Sequence, residues 1–240
     1  MGILRKTFMT GVYGVTGGLA SVGAGMAYLN ATTSIVDLKN DDAWFSSKTY
    51  ARYNPKANPA LQDDCIKRVP LSQIRPELRN DEAALTLDFC RGIWSRWGFW
   101  PQSKLHERYD APPGTEDYTW KTSELAVAKY EPGFKFSNHF EVVQNSCSSS
   151  RFTRAGNEIT VRCGGSPLQP GLRNSDGLVL ISARIDNEKQ EAVFSLKSAL
   201  FDSAGSYGKG AGHPIPPKII FLHPWYVRML VQSGVGNVKA

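Results

Sequence analysis

The C-terminal half of the chain carries polar side chains of the types that transfer protons. The candidate catalytic groups are His139, Asp176 and His223. A histidine titrates near neutral pH, so it can take a proton from a substrate and return it. His223 lies about one helical turn before Tyr226 and shares its side of the final helix. This set favours the chemistry of a cofactor-free isomerase or cyclase.

Each of these residues also has a plainer interpretation. A single histidine on a helix commonly satisfies a nearby carbonyl or carboxylate rather than a substrate. Asp176 follows Asn174 and Ser175, a pattern typical of a turn. The sequence therefore leaves open whether the protein is an enzyme.

Aromatic side chains form the candidate ligand surface. Trp94, Trp97 and Trp100 recur at every third residue, while Phe140 and Tyr226 lie on the apolar sides of a strand and of the final helix. If the sheet and that helix enclose a cavity, Trp97, Phe140 and Tyr226 line it and bind an apolar small molecule or lipid. Alternatively, the tryptophans only pack a helix against the sheet.

Motifs for a metal or a cofactor are missing from the sequence. The four cysteines form no CxxC pair, and the four histidines show no HExxH or HxxxH spacing. The stretch AGSYG at 204–208 resembles a nucleophile elbow, but alanine replaces its first glycine. We therefore predict no metal site and no cofactor.

The sequence predicts a helix outside the membrane that begins after Asn80 as its N-cap. Asp81 and Glu82 follow, where carboxylates favour the positive end of a helix, and Pro101 is expected to end it. Its core-facing stripe recurs at every fourth residue: Leu85, Phe89, Ile93 and Trp97.

Strand patterns and a second helix follow from residue 129. Apolar and polar residues alternate, which predicts four or more antiparallel strands, with a hairpin around residues 186–190. The run at 218–235 predicts a terminal helix, in which Pro224 marks a kink or the start of the regular part.

This order of elements predicts an α+β fold. We expect an N-terminal transmembrane helix, a helical region, and a curved antiparallel sheet packed by a long C-terminal helix. The corresponding segments are a membrane anchor at 1–36, a connector and helical region at 37–128, and a sheet-plus-helix domain at 129–240.

The membrane assignment depends on an uncharged apolar run at residues 7–30. As a helix, residues 8–29 measure about 33 Å, enough for a hydrocarbon core of about 30 Å. Small residues form a seam that predicts a helix–helix partner: Gly11, Gly14, Gly18, Ser21 and Gly25. We predict a single-pass protein of a mitochondrial or internal cell membrane. A cleaved targeting segment and a buried soluble helix stay open as alternatives.

Charge argues against a nucleic-acid partner. The net charge is +6, but the basic residues are scattered and form no run of five or more. The predicted partners are a lipid membrane and an apolar small molecule.

A family resemblance rests on four stretches: YEPGFKFSNHFEVVQNS, ITVRCGGSPLQPGLRNSDGLVLISARID, EAVFSLKSALFDSAG and FLHPWYVRMLVQSGV. They resemble a group of uncharacterised fungal membrane-anchored proteins, whose C-terminal part is similar to START-like, helix-grip domains of unknown function. The resemblance covers most of the chain and implies a fungal source and a membrane address. It implies no established reaction.

Three function classes follow from these observations. The first is a membrane-anchored protein that binds a small molecule or lipid. The second is a cofactor-free accessory enzyme, a cyclase or isomerase of fungal secondary metabolism. The third is an assembly factor of an organelle membrane that pairs through the glycine seam.

Overall fold

The described residues form a seven-stranded sheet in which every neighbouring pair is antiparallel. A computed structural model describes residues 23–147, 156–208 and 210–240. The strands are β1 (Ser34–Asp37), β2 (Leu61–Pro70), β3 (Lys135–Phe136), β4 (Phe140–Asn145), β5 (Glu158–Gly164), β6 (Asp176–Asp186) and β7 (Glu191–Phe201). Their order across the sheet is β1-β2-β7-β6-β5-β4-β3. The early strands β1 and β2 therefore lie at one edge, and the β3–β4 hairpin lies at the other.

Helices cover this sheet. They are α1 (residues 23–32), α2 (Lys48–Tyr53), α3 (Glu82–Ser95), α4 (Trp100–Tyr109), α5 (Thr122–Leu125) and α6 (Pro217–Val238). Short 3-10 turns span Ala43–Ser46, Leu71–Gln73 and Pro76–Leu78. The prediction of an α+β fold with an antiparallel sheet and a C-terminal helix is confirmed.

Helix α3 begins as its sequence predicts, but it ends early, and Trp97 of the predicted core-facing stripe lies beyond its end and is 48% exposed. The Asp81 carboxylate accepts a hydrogen bond from the Ala84 backbone N–H and caps the first turn. Leu85, Phe89 and Ile93 are fully buried. The helix ends at Ser95, and Pro101 lies in the first turn of α4 instead of ending α3. A proline is tolerated there because the first backbone N–H groups of a helix have no partner within it.

Helices α3 and α6 cross in close contact. A Cβ atom added to Gly92 would lie 2.4 Å from Cβ of Asn237, and one added to Gly234 would lie 2.7 Å from the ring of Phe89. Only glycine permits this approach of the two backbones. A large buried apolar cluster fills the layer between the two helices and the sheet.

Strand β2 lies in a segment that the sequence assigns to the connector. It pairs with β7 along its whole length. Its sequence, LQDDCIKRVP, lacks apolar alternation because polar residues are buried in pairs across the strands. Asp63 accepts a 2.7 Å hydrogen bond from Ser198, and Asp64 accepts one of the same length from Ser195.

In place of the first strand predicted after residue 129, the structure has a hairpin formed by β3 and β4. A three-residue loop, Ser137–Asn138–His139, separates β3 from β4. The backbone φ angles of Ser137 and Asn138 are 46° and 27°, in or near the left-handed region. This loop turns the chain sharply and brings His139 to the edge of the sheet.

The N-terminal predictions fall largely outside the described residues. The apolar run begins there, as do Gly11, Gly14, Gly18 and Ser21 of the seam. Gly25 lies in α1, with open space around the position of its absent side chain. No helix within the described ranges is both long and apolar enough to cross a membrane.

Candidate acid–base site

His139 is held by oxygen atoms on both sides of its ring. Its Nδ1 lies 2.6 Å from the carbonyl oxygen of Gly164, and its Nε2 contacts Oδ2 of Asp110. A carbonyl oxygen only accepts hydrogen bonds, so Nδ1 carries a proton. The other ring nitrogen, Nε2, faces the Asp110 carboxylate.

Asp110 reaches this position from the C-terminus of α4. Its backbone N–H donates to the carbonyl of His106 at 2.9 Å and closes the helix. Its second carboxylate oxygen accepts a 3.3 Å hydrogen bond from the Asn138 amide, which in turn accepts one from Ser166. The hairpin loop, the end of α4 and the loop after β5 are thus joined around one carboxylate.

A second histidine lies against the first. His106 is one turn before Asp110 on α4, and its ring centroid is 4.3 Å from that of His139. Burial lowers the pKa of His106 to about 4, and the neighbouring His139 lowers it in addition, while Asp110 opposes the change. At neutral pH His106 is consequently uncharged.

A chain of polar contacts leads from His106 to α6. The hydroxyl of Tyr226 donates to Oε1 of Gln102, whose amide lies 3.4 Å from Nε2 of His106. That amide donates, so His106 carries its proton on Nδ1, which is buried without a partner among the described residues. Burial raises the pKa of Tyr226, so its hydroxyl keeps its proton.

An aromatic floor supports these groups. The ring of Phe140 lies 6.3 Å from His106 and 6.5 Å from His139, centroid to centroid. Beneath it, Phe136 stacks at 5.0 Å and Trp94 packs at 4.9 Å. The floor is buried and tightly packed, so the polar groups above it have little freedom to rearrange.

The acid–base pair is open to solvent. The side chains of His139 and Asp110 are 30% and 39% exposed. A small molecule can therefore reach the pair from outside. A proton donor, a carboxylate and a buried neutral imidazole within one cluster are the groups that general acid–base catalysis uses.

Three of the six residues named from the sequence meet in this cluster. His139 supplies the imidazole, Phe140 supplies the floor, and Tyr226 joins through Gln102. Trp97 lies outside the cluster and is 48% exposed beside the start of α4.

His223 lies in a different place and makes a buried polar triad. Its Nε2 is 2.9 Å from Oγ of Ser198 and 3.0 Å from Oδ2 of Asp63. All three residues are at least nine-tenths buried. The arrangement ties the first turns of α6 to β2 and β7, and it offers little access to a substrate.

Asp176 begins β6 and lies on the face of the sheet opposite α6. Its carboxylate forms a buried ion pair with Arg162, at 2.6 and 2.8 Å. Ser203 donates a further 2.6 Å hydrogen bond to it. Both oxygens of this carboxylate accept hydrogen bonds from residues of the strands and loops around it.

The sequence offered one unused signal for the site. His106 and Asp110 are four residues apart at the end of a helix, a spacing that places two side chains on one face. What the spacing does not reveal is that the hairpin loop lies against that face.

Comparison with known proteins gives no relative for this chain: no family model, no curated protein and no solved structure matches it. Within the described ranges, no group of three or more histidine, cysteine or acidic side chains is arranged to hold a metal ion. The four cysteines are free thiols.

Proposed function

We propose that the protein is a cofactor-independent acid–base enzyme that shifts a proton within a small, largely apolar substrate. The observation that carries this proposal is the solvent-accessible contact between Asp110 and His139, with neutral His106 packed against it. Catalytic pairs of this kind need one group to take a proton and a second to supply one.

The proposed reaction is an isomerisation by proton transfer. The Asp110 carboxylate takes a proton from a carbon of the substrate, and the electron pair left behind moves toward a neighbouring carbonyl. His139 supplies the proton from Nε2 to the atom where that pair comes to rest. Proton exchange between Asp110 and His139 then restores the pair, so no oxidant, reductant or cofactor is required.

The positions of His106 and Gly164 suit them to support this exchange. The Gly164 carbonyl fixes the ring of His139 and its tautomer through Nδ1. His106 stacks on the ring without adding a charge, since its own protonation is suppressed. Both are positioning groups in this proposal, because each acts on the ring of His139 and neither exchanges a proton with the substrate.

Deuterium exchange tests the proposal without knowledge of the substrate. A small-molecule extract of the producing cells is incubated in D₂O with the full-length protein, and mass spectrometry identifies compounds that gain deuterium at carbon. We expect labelled carbonyl compounds with the unmodified protein and a loss of about 100-fold or more in labelling rate with His139→Gln or Asp110→Asn.

A matched control separates this effect from general damage. His213→Gln removes a histidine of the loop before α6, far in sequence from the pair, and is expected to label at the unmodified rate. Equal labelling by His139→Gln and the unmodified protein would overturn the assignment, as would an absence of labelling by any form.

A second candidate is a binding protein for an apolar molecule. Its support comes from large apolar side chains at the start of α6, where Phe221 is 71% exposed and Leu222 is 56% exposed. Trp97 and Trp100 are also about half exposed, and Gly98 between them packs against Met229 of α6. The layer between α6 and the sheet is filled, which favours a ligand on the surface over one in the interior.

We also propose attachment to a membrane through residues 7–30 and a likeness to the START-like domains. The uncharged run supports the first, and a long C-terminal helix lying across an antiparallel sheet supports the second. Extraction of native membranes with alkaline carbonate tests the attachment. Release of the full-length chain into the supernatant would contradict it.

A further inference from the structure

A cleft of about 420 Å³ opens at the β1–β2 edge of the sheet, opposite the edge that carries the acid–base site. It lies between α1, β2 and the C-terminal residues. Its lining includes Tyr28 and Thr32 of α1, Lys67 and Arg68 of β2, and Lys239. Three cationic side chains thus border one small volume.

Lys67 is buried without a counter-charge. It is 5% exposed, and its ammonium donates a 2.9 Å hydrogen bond to the carbonyl oxygen of Thr32. Burial lowers the pKa of Lys67, and the nearby charge of Lys239 lowers it further. A buried ammonium is ordinarily paired with a carboxylate, because removing it from water is costly.

Among the described residues, no carboxylate lies close enough to Lys67 or Lys239 to form an ion pair with it. Within the described ranges, no acidic side chain lies within 4.0 Å of the ammonium of Lys67 or of Lys239. The residues outside those ranges, 1–22, 148–155 and 209, include no Asp or Glu. Lys239 donates a hydrogen bond to the neutral side chain of Gln73, at 2.9 Å.

A purely structural role explains part of this arrangement. Lys67 and Arg228 each donate to a carbonyl at the C-terminal end of α1, at 2.9 and 2.8 Å, where cations are favourable. That role uses one N–H of the Lys67 ammonium and leaves two. It gives no reason for Lys239 to border the same cleft.

We propose that this cleft binds an anionic phosphate group, with Lys67 and Lys239 as its main ligands and Arg68 at its rim. A phosphate offers several acceptor oxygens and the negative charge that the cleft lacks. Its volume accommodates a phosphate with a small substituent. Helix α1 forms one wall and contains the end of the apolar run of residues 7–30, so a phospholipid headgroup is one source of the phosphate. A soluble phosphate compound is the other.

Calorimetric titration of the full-length protein in a nonionic detergent tests this proposal. The two probes are inorganic phosphate and dihexanoyl phosphatidic acid below its micelle concentration. We expect Lys67→Met and Lys239→Met each to weaken binding about tenfold or more, since a charge-assisted hydrogen bond is lost. Lys218→Met removes the same charge from an exposed position on α6 and is expected to leave the affinity unchanged.

The two probes distinguish the sources. Binding of phosphatidic acid alone indicates a lipid headgroup, whereas equal binding of inorganic phosphate indicates a soluble phosphate. The proposal is overturned if neither probe binds, or if both lysine variants bind as the unmodified protein does. Lys239 is only partly buried, so Lys239→Met keeps the test decisive if Lys67→Met fails to fold.

Discussion

The half-buried imidazole of His106 makes a specific prediction about stability in mild acid. Its pKa in the folded protein is about 4, against an ordinary value of 6.5. Between these two values the unfolded chain binds a proton that the folded protein does not. The contribution of His106 to the free energy of unfolding is therefore fully present above about pH 6.5 and is lost as the pH falls toward 4.

The magnitude follows from the two pKa values. A single group with these values costs about 2 kcal/mol of stability between pH 7.5 and pH 5. We take about half of that, because His106 is only half buried and water screens its charge. The expected loss that belongs to His106 is thus about 1 kcal/mol, or about 0.5 M in the midpoint of urea unfolding.

His106→Gln isolates this contribution. Glutamine keeps a polar side chain near Gln102 but does not titrate. Urea unfolding is measured at several pH values from 5 to 7.5 for both forms, and carboxylates that titrate in both cancel in the difference. We expect the unmodified protein to lose about 1 kcal/mol more than the variant over this range. Parallel loss by the two forms would show that His106 is not buried in its neutral form.

Three further perturbations have defined expected outcomes. Asp176→Asn leaves the Arg162 guanidinium buried without its partner and should cost about 3–5 kcal/mol in urea unfolding. Gly92→Ala adds a methyl group where α3 and α6 touch and should cost about 1–3 kcal/mol, while Gly208→Ala, with open space around it, should be close to neutral. His223→Ala removes a donor from a buried carboxylate and should lower the melting temperature, yet retain the proposed deuterium-exchange activity.

Each of these outcomes can fail in an informative way. A stable Asp176→Asn variant would mean that solvent reaches Arg162. Equal stability of the two glycine variants would mean that α6 can shift away from α3 without loss. Loss of exchange activity in a fully folded His223→Ala variant would move the proposed chemistry from the hairpin to the start of α6.

Much of the sheet could be predicted from local pattern, because β5, β6 and β7 alternate apolar and polar residues or form a tight hairpin. Strand β2 could not, since its buried Asp63 and Asp64 look like surface residues until their serine partners on β7 are known. Local sequence reports which side chains are apolar. Local sequence does not show which polar side chains form hydrogen bonds with each other between distant strands.

The same limit applies to the candidate site. His139 could be named from its residue type and its place beside a strand. Its partners lie 29 and 33 positions earlier, at the C-terminal end of α4. They reach His139 only because α4 packs against the hairpin. Asp110 and His106 become candidate site residues only through that contact. No sequence pattern within α4 predicts the contact.

The pairing of β2 with β7 has a consequence for how the chain reaches its native state. About 130 residues separate the partners, so β2 has no neighbour on that side until nearly the whole polypeptide has been made. Until then its backbone donors and acceptors stay available to other strands, and the apolar stripe of α3 lacks α6. We therefore expect this protein to fold slowly, and we expect a nascent chain that ends before residue 191 to leave the β7-facing edge of β2 open to aggregation.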